Sequence, residues 1–256
     1  MAKGKSKRKL ILIPLYLTLG LLGVVISAYF IKEYQSRNNM AEVQAAARKD
    51  TKKGQQAAKS DDPDAVLPRF QKLAAQNPDL VGWLTIPDTV IDYPVMYKTG
   101  DNDYYLSHDF EGNSDKNGLL VLDKRCTKKG NDLNNLIHGH NMKSGTMFGA
   151  LHDYTRKAFY LTHKTIIFST LYEERTYEIV GVFHSTLGEK NTEEFQYYNY
   201  ISIDSKAEFN DYIQGVKEKS LYDTGVTAYY GDKLLTLSTC ENTGENGRLV
   251  VVAKRK

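Results

Sequence analysis

Cysteine is scarce in this chain. Only Cys126 and Cys240 occur among 256 residues, so at most one disulfide is available. The net charge of +3 is too small to argue for a nucleic-acid partner. Internal repeats and low-complexity tracts are missing. Spaced ligand sets for a metal are missing too: His138 and His140 flank Gly139, but no further Cys or carboxylate stands at ligand spacing. Acidic residues are absent from Met1–Lys9, which carries Lys3, Lys5, Lys7, Arg8 and Lys9. Charge of either sign is then absent from Leu10 to Ile31.

That uncharged run of about 22 residues is long enough to cross a bilayer core. The basic flank should stay cytoplasmic, which places everything after Ile31 outside the cell. A cleaved signal peptide is the competing reading, but its apolar core is shorter and ends at a small-residue cleavage site. Here the run ends Ala28-Tyr29-Phe30-Ile31 without such a pattern. The expected organisation is a basic tail at 1–9, a transmembrane anchor at 10–31, a polar stalk at 32–64 and a folded extracellular domain at 65–256. The stalk is poor in large apolar residues, with some helical character expected around Met40–Arg48.

The folded part is rich in tyrosine and in short apolar runs. Phe70, Leu73 and Ala74 stand at helical spacing, and Asn77-Pro78 stops that helix. Eight strands are expected: Val81–Pro87, Val90–Tyr97, Gly118–Leu122, Asn135–His138, Thr165–Ser169, Thr176–His184, Lys233–Thr239 and Arg248–Ala253. Thr146–Tyr154 reads as a short helix. Lys206–Ser220 is a clearer one, with Phe209, Tyr212, Ile213 and Val216 on one face. The fold class is therefore mainly β: a barrel or sandwich with helical insertions behind one transmembrane helix.

The chemistry concentrates in three places. Cys240 ends the apolar strand Leu234-Leu235-Thr236-Leu237-Ser238-Thr239. A thiol there sits on a rigid element and could act as a thiolate nucleophile. A small buried hydrophobe, or a bridge to Cys126, would be the plainer structural alternatives. His140 lies just past a strand, beside Gly139, where an imidazole could reach a neighbouring strand end and protonate a leaving amine. His108, His152, His163 and His184 read as ordinary surface or core residues. Arg248 follows Cys240 across a polar turn. If the two strands are antiparallel neighbours, its guanidinium could steady negative charge on a substrate carbonyl.

Taken together, Thr236-Leu237-Ser238-Thr239-Cys240 followed by Arg248-Leu249-Val250-Val251 resembles the catalytic segment of sortases. Gly139-His140-Asn141-Met142 with Gly145-Thr146-Met147-Phe148 resembles the histidine segment of class B sortases, although Asn242 stands where many of that class carry an aromatic. The resemblance spans about Ala65–Lys256. It implies an eight-stranded sortase-like β-barrel with an N-terminal helix. It implies a cysteine transpeptidase with His140, Cys240 and Arg248 as catalytic residues and Thr239, Ser238 and Asn141 near the substrate. The implied substrates are secreted proteins with a C-terminal sorting signal, cleaved through a thioester. The implied acceptor is an amine of a peptidoglycan precursor or of a surface protein. No cofactor or metal is implied. A cysteine peptidase that passes the acyl group to water, and a non-catalytic sortase-like surface module, are the alternatives.

Overall fold

The computed structural model describes the backbone of residues 3–54, 62–188, 195–240 and 246–256, and side chains within 16–48, 62–188, 195–239 and 246–256. Two compact units are present, Met1–Glu42 and Val43–Lys256. The long helix α1 (Lys3–Gly54) contributes to both. In the first unit Leu17, Leu19, Leu21, Leu22, Val24, Val25 and Ile26 are all exposed. Within Tyr16–Arg48 an 18-residue window reaches a mean hydropathy of 1.4, and none of it is buried. This helix is long and apolar enough to cross a membrane, by length and composition.

The second unit is a closed eight-stranded barrel: β1 (Leu80–Thr85), β2 (Asp92–Met96), β3 (Leu120–Leu122), β4 (Asn134–Gly139), β5 (Thr165–Thr170), β6 (Glu174–Thr186), β7 (Leu234–Cys240) and β8 (Gly247–Arg255). Around the barrel the order is β1-β2-β3-β4-β7-β8-β6-β5. Two neighbouring pairs are parallel, β2 with β3 and β4 with β7; the other pairs are antiparallel. Closure leaves no strand edge open for pairing with another chain.

Each expected strand is present, with bounds shifted by a few residues. Leu249–Ala253 is buried throughout, as its unbroken apolar run requires of a strand covered on both faces. The outer cover comes from α4 (Lys206–Lys219), which buries Phe209, Tyr212, Ile213 and Val216. Ser205 caps this helix, its side chain accepting the Glu208 N–H at 3.1 Å. Helix α2 (Pro68–Gln76) begins on a proline and buries Phe70 and Leu73, with Phe70 stacked on Trp83. The short helix expected at Thr146–Tyr154 is a 3-10 helix at Phe148–Thr155, and α3 (Lys157–Thr162) follows it without a clear periodic signal.

The compact unit opens at Val43, upstream of Ala65, where the composition alone puts the start of the fold. Val43 and Ala47, one helical turn apart, are both 5 % exposed. Between and beyond them Gln44 Nε2 donates to the Asp92 carbonyl at 2.8 Å, and Arg48 Nε donates to the Asp92 carboxylate at 3.0 Å. The same carboxylate accepts from Trp83 Nε1 and Thr85 Oγ1. The turns of α1 at 43–48 are thus fastened to the first residue of β2.

A chain beginning at Ala65 should therefore melt below one beginning at Lys32. Burying one valine contributes roughly 1.5–3 kcal/mol, and each kcal/mol moves Tm by about 2–4 °C at this size. Differential scanning calorimetry should show a loss of several degrees; equal Tm values would mean that the turn at 43–48 adds no stability.

Candidate active site

Three chain-distant residues arrive together because of strand register. β7 lies between β4 and β8. Its last pair with β8 is Cys240 with Arg248. Its last pair with β4, on the other side, is Thr239 with Gly139. Since β4 and β7 run parallel, the residue after Gly139 comes level with the residue after Thr239. His140, Cys240 and Arg248 therefore occupy adjacent backbone positions at one end of three neighbouring strands.

Gly139 is a glycine for a steric reason. A Cβ there would lie 2.6 Å from Leu120 Cδ2 and 2.7 Å from Phe148 Cδ2. Those two side chains fill the barrel where β4 ends, and the chain keeps its strand geometry through that position. The next turn is then held by backbone bonds. Phe148 N–H donates to the His140 carbonyl at 3.0 Å, and Asn141 bridges to Met147, closing the loop between them.

The two histidines have different partners. His140 Nε2 lies 2.7 Å from the Leu106 carbonyl oxygen. A carbonyl can only accept, so Nε2 carries the hydrogen and Nδ1 is the nitrogen left to exchange protons. His138 Nε2 instead donates to Asp123 Oδ2 at 2.8 Å. Asp123 is 1 % exposed and also accepts from Arg125 Nε, Nη2 and backbone N–H at 2.8–3.0 Å. Burial alone would push this carboxyl up, but the Arg125 and His138 hydrogen bonds outweigh it and hold Asp123 well below the usual carboxylate range. Arg125 extends the network by donating from Nη1 to the Tyr198 carbonyl, tying the β3–β4 connection to the segment before α4.

Ser238 is engaged in packing: its hydroxyl lies 2.7 Å from the Tyr197 hydroxyl, and both residues are buried. Two residues earlier Thr236 pairs with Tyr212 of α4 at 2.7 Å and with Asn134 at 2.9 Å. This face of β7 is thus lined by satisfied hydroxyls beneath the tyrosines. Thr239 differs: its hydroxyl is buried without a hydrogen-bond partner among the described residues. Asn141 is half-exposed beside His140. Arg248 is half-buried, and its Nη1 donates to the Gly247 carbonyl at 2.8 Å. Residues 241–245, including Asn242, lie outside the described residues.

Cys126 is a free, buried thiol, so the bridge to Cys240 is not formed. Burial pushes its pKa up to about 12, which keeps it protonated and inert at neutral pH. Among the described residues no group of His, Cys, Asp and Glu could hold a metal. His108 and His163 stack on Tyr104 and Phe159 and bond local backbone carbonyls, as structural histidines do. Leu106 and Asp123 are the two partners that sequence reasoning missed. The Leu106 contribution is a backbone carbonyl, which no residue type announces. Asp123 does leave a trace, as a lone acid directly after the apolar run 119–122 with an arginine two positions on.

The sortase-domain profile matches residues 84–256. Sortase B of Listeria monocytogenes is 35% identical over 243 residues, 93% of this chain and 94% of that one. Sortase B of Staphylococcus aureus is 29% identical over 256 residues, 98% of both. A solved Staphylococcus aureus sortase B–substrate complex superposes with a TM-score of 0.76 at 28% identity, covering 88% of this chain and 98% of that one.

The Asp123 network carries a pH signature. A carboxyl held below its unfolded pKa stabilises the fold fully above the ordinary carboxylate range and loses that contribution as pH falls through its folded value. Asp123→Asn should cost about 1.5–3 kcal/mol at neutral pH, the range for hydrogen bonds to charged groups. In urea unfolding the gap to wild type should be widest near neutrality and should shrink as pH drops from about 5 toward 2. A gap that stays constant over that range would contradict the network as described.

Proposed function

From the premise that this chain belongs to the sortase family and is a class B, sortase-type cysteine transpeptidase, we propose that Cys240, His140 and Arg248 form its catalytic centre. The observation that carries the assignment is the register: Cys240 pairs with Arg248 while Thr239 pairs with Gly139, next to His140.

The reaction runs in two halves. Cys240 passes its thiol proton to Nδ1 of His140, and the resulting thiolate attacks the carbonyl carbon of the scissile bond in a sorting signal near the C-terminus of a secreted protein. The sulfur–carbon bond forms, and negative charge builds on the carbonyl oxygen. The Arg248 guanidinium offers a planar fork of donors for that charge and for the neighbouring peptide groups. As the carbon–nitrogen bond breaks, the leaving amine takes a proton from His140, leaving a thioester on Cys240. The acceptor is an amine of a peptidoglycan precursor or of a surface protein. It attacks the thioester, gives a proton back to His140 and releases the Cys240 thiolate with a new amide bond formed. With Nε2–H engaged by Leu106, Nδ1 is the nitrogen that carries this proton in both directions. Thr239 and Asn141 flank the reacting residues and are assigned to substrate positioning. Ser238 supports the strand through Tyr197 rather than meeting the peptide.

The uncharged stretch of α1 is assigned as a single-pass anchor. The basic tail lies in the cytoplasm and the barrel outside, where exported substrates and cell-wall precursors meet. Its support is the run from Leu10 to Ile31, preceded by five cations and no acid.

Steady-state kinetics on a sorting-signal peptide with an amine acceptor tests the residue assignment. His140→Ala should lose roughly 10²–10⁴-fold in turnover, the usual value of positioned acid–base help, while His138→Ala keeps most of it. Arg248→Lys should be nearly as damaging as Arg248→Ala, since lysine keeps the charge but not the fork. Turnover that survives His140→Ala and disappears in His138→Ala would reverse the choice of histidine.

A further inference from the structure

We propose that Gly118, together with the braced loop it closes, is the positioning device for His140: it sets the Leu106 carbonyl as a fixed acceptor for the imidazole. The inference rests on the reading of His140 as the proton-transferring group.

The His140 side chain bonds to main chain, at the Leu106 carbonyl. A backbone acceptor is only as well placed as the loop that holds it. This loop is pinned on both sides of Leu106. The Tyr105 carbonyl accepts the Leu119 N–H at 2.7 Å, the Ser107 carbonyl accepts the Asp115 N–H at 2.9 Å, and the Leu106 N–H donates to Asp103 at 3.1 Å. The Tyr105 ring is 3 % exposed, and its hydroxyl donates to Asp79 Oδ2 at 3.0 Å. The carbonyl that meets His140 thus lies between two carbonyls already committed to the returning strand of the loop.

Gly118 makes this approach possible. Its φ is +55°, and a Cβ built on it would lie 2.2 Å from the Leu106 oxygen and 2.5 Å from the Leu106 carbonyl carbon. Those atoms are backbone, with no side-chain rotation to relieve the clash. Any other residue at 118 must displace the group that holds the His140 ring. The left-handed conformation alone does not account for this contact. Gly100 in the same loop region has φ +78° with nothing within 4 Å of its Cβ position, so it shares the backbone demand and lacks the contact.

A neutral carbonyl in this place does the orienting work that a buried carboxylate does in other catalytic units. It selects the tautomer with Nε2–H and keeps Nδ1 open, without placing a formal negative charge beside the reacting thiol. Gly118 is accordingly a positioning residue, two steps removed from the substrate.

The test uses the full chain in detergent, labelled with 15N-histidine. The His140 ring lines are assigned by their loss in His140→Gln. Wild type should show the neutral ring with its proton on Nε2. Gly118→Ala should shift His140 toward a tautomer mixture and lower kcat on the order of 10²-fold, the scale expected for misplacing a catalytic group, with KM near wild type. Gly100→Ala should leave the ring lines and kcat unchanged. A proton on Nδ1 in wild type would overturn the proposal, and that measurement decides the matter even if Gly118→Ala fails to fold. Wild-type kcat in Gly118→Ala, or an equal loss in Gly100→Ala, would overturn it as well. Turnover retained in His140→Ala would instead remove the catalytic reading of His140, while the ring lines would still report whether Gly118 sets the imidazole.

Discussion

The parallel ladder between β4 and β7 is the interaction on which the rest of the structure depends. A parallel pair cannot be closed by a tight turn, and here the connection carries β5, β6, α3 and α4 from one strand to the other. The return sets Asn134 against Leu234 and Gly139 against Thr239. A slip of one residue would turn Leu235 and Leu237 out of the core and bring Thr236 and Ser238 in. It would also separate His140 from the level of Cys240. Core packing and site assembly are therefore governed by the same register, and the apolar alternation of β7 protects both.

The outer face of this ladder is covered by tyrosines. Tyr212 and Tyr197 lay their rings over the barrel and place their hydroxyls on Thr236 and Ser238. Each buried hydroxyl on this face of β7 finds a partner, so the strand can carry polar residues at 236 and 238 without a desolvation penalty. Aromatic contacts among Phe195, Tyr200 and Tyr212 continue the layer. On β4 the same outward positions are Asn134, bonded to Thr236 and the Tyr200 carbonyl, and His138, bonded to Asp123. The end of the barrel that carries the candidate site thus stands on a polar layer whose members are mutually satisfied. Such a layer fixes rotamers where an apolar one would allow sliding.

Much of this was legible in the chain itself. Apolar runs such as 249–253 and the helical spacing of Phe209, Tyr212, Ile213 and Val216 marked their elements directly, because burial demands those patterns whatever the partner. Cys240, His140 and Arg248 stand out as a candidate set only through their motif context; each alone would pass for a structural residue. The pairing order was not legible, since it arises from contacts between segments far apart in sequence. The attachment of this helical turn was hidden for a related reason: two small apolar residues, Val43 and Ala47, in a polar helix do not announce their burial, nor that Gln44 and Arg48 beside them meet Asp92. The acceptor for His140 was invisible in principle, because every residue carries a carbonyl and only the conformation around Gly118 singles out that of Leu106.

The central claim is that Cys240 is the atom through which this protein passes an acyl group from peptide to amine. The most direct measurement is the intact mass of the protein after incubation with a sorting-signal peptide and no amine acceptor, followed by mapping of the modified fragment. The account predicts an added mass equal to the N-terminal part of the peptide. It should be located on the fragment containing Cys240, released by hydroxylamine as a thioester must be, and absent from Cys240→Ala. An adduct on Cys126, an adduct that resists hydroxylamine, or acyl transfer that persists in Cys240→Ala would contradict it.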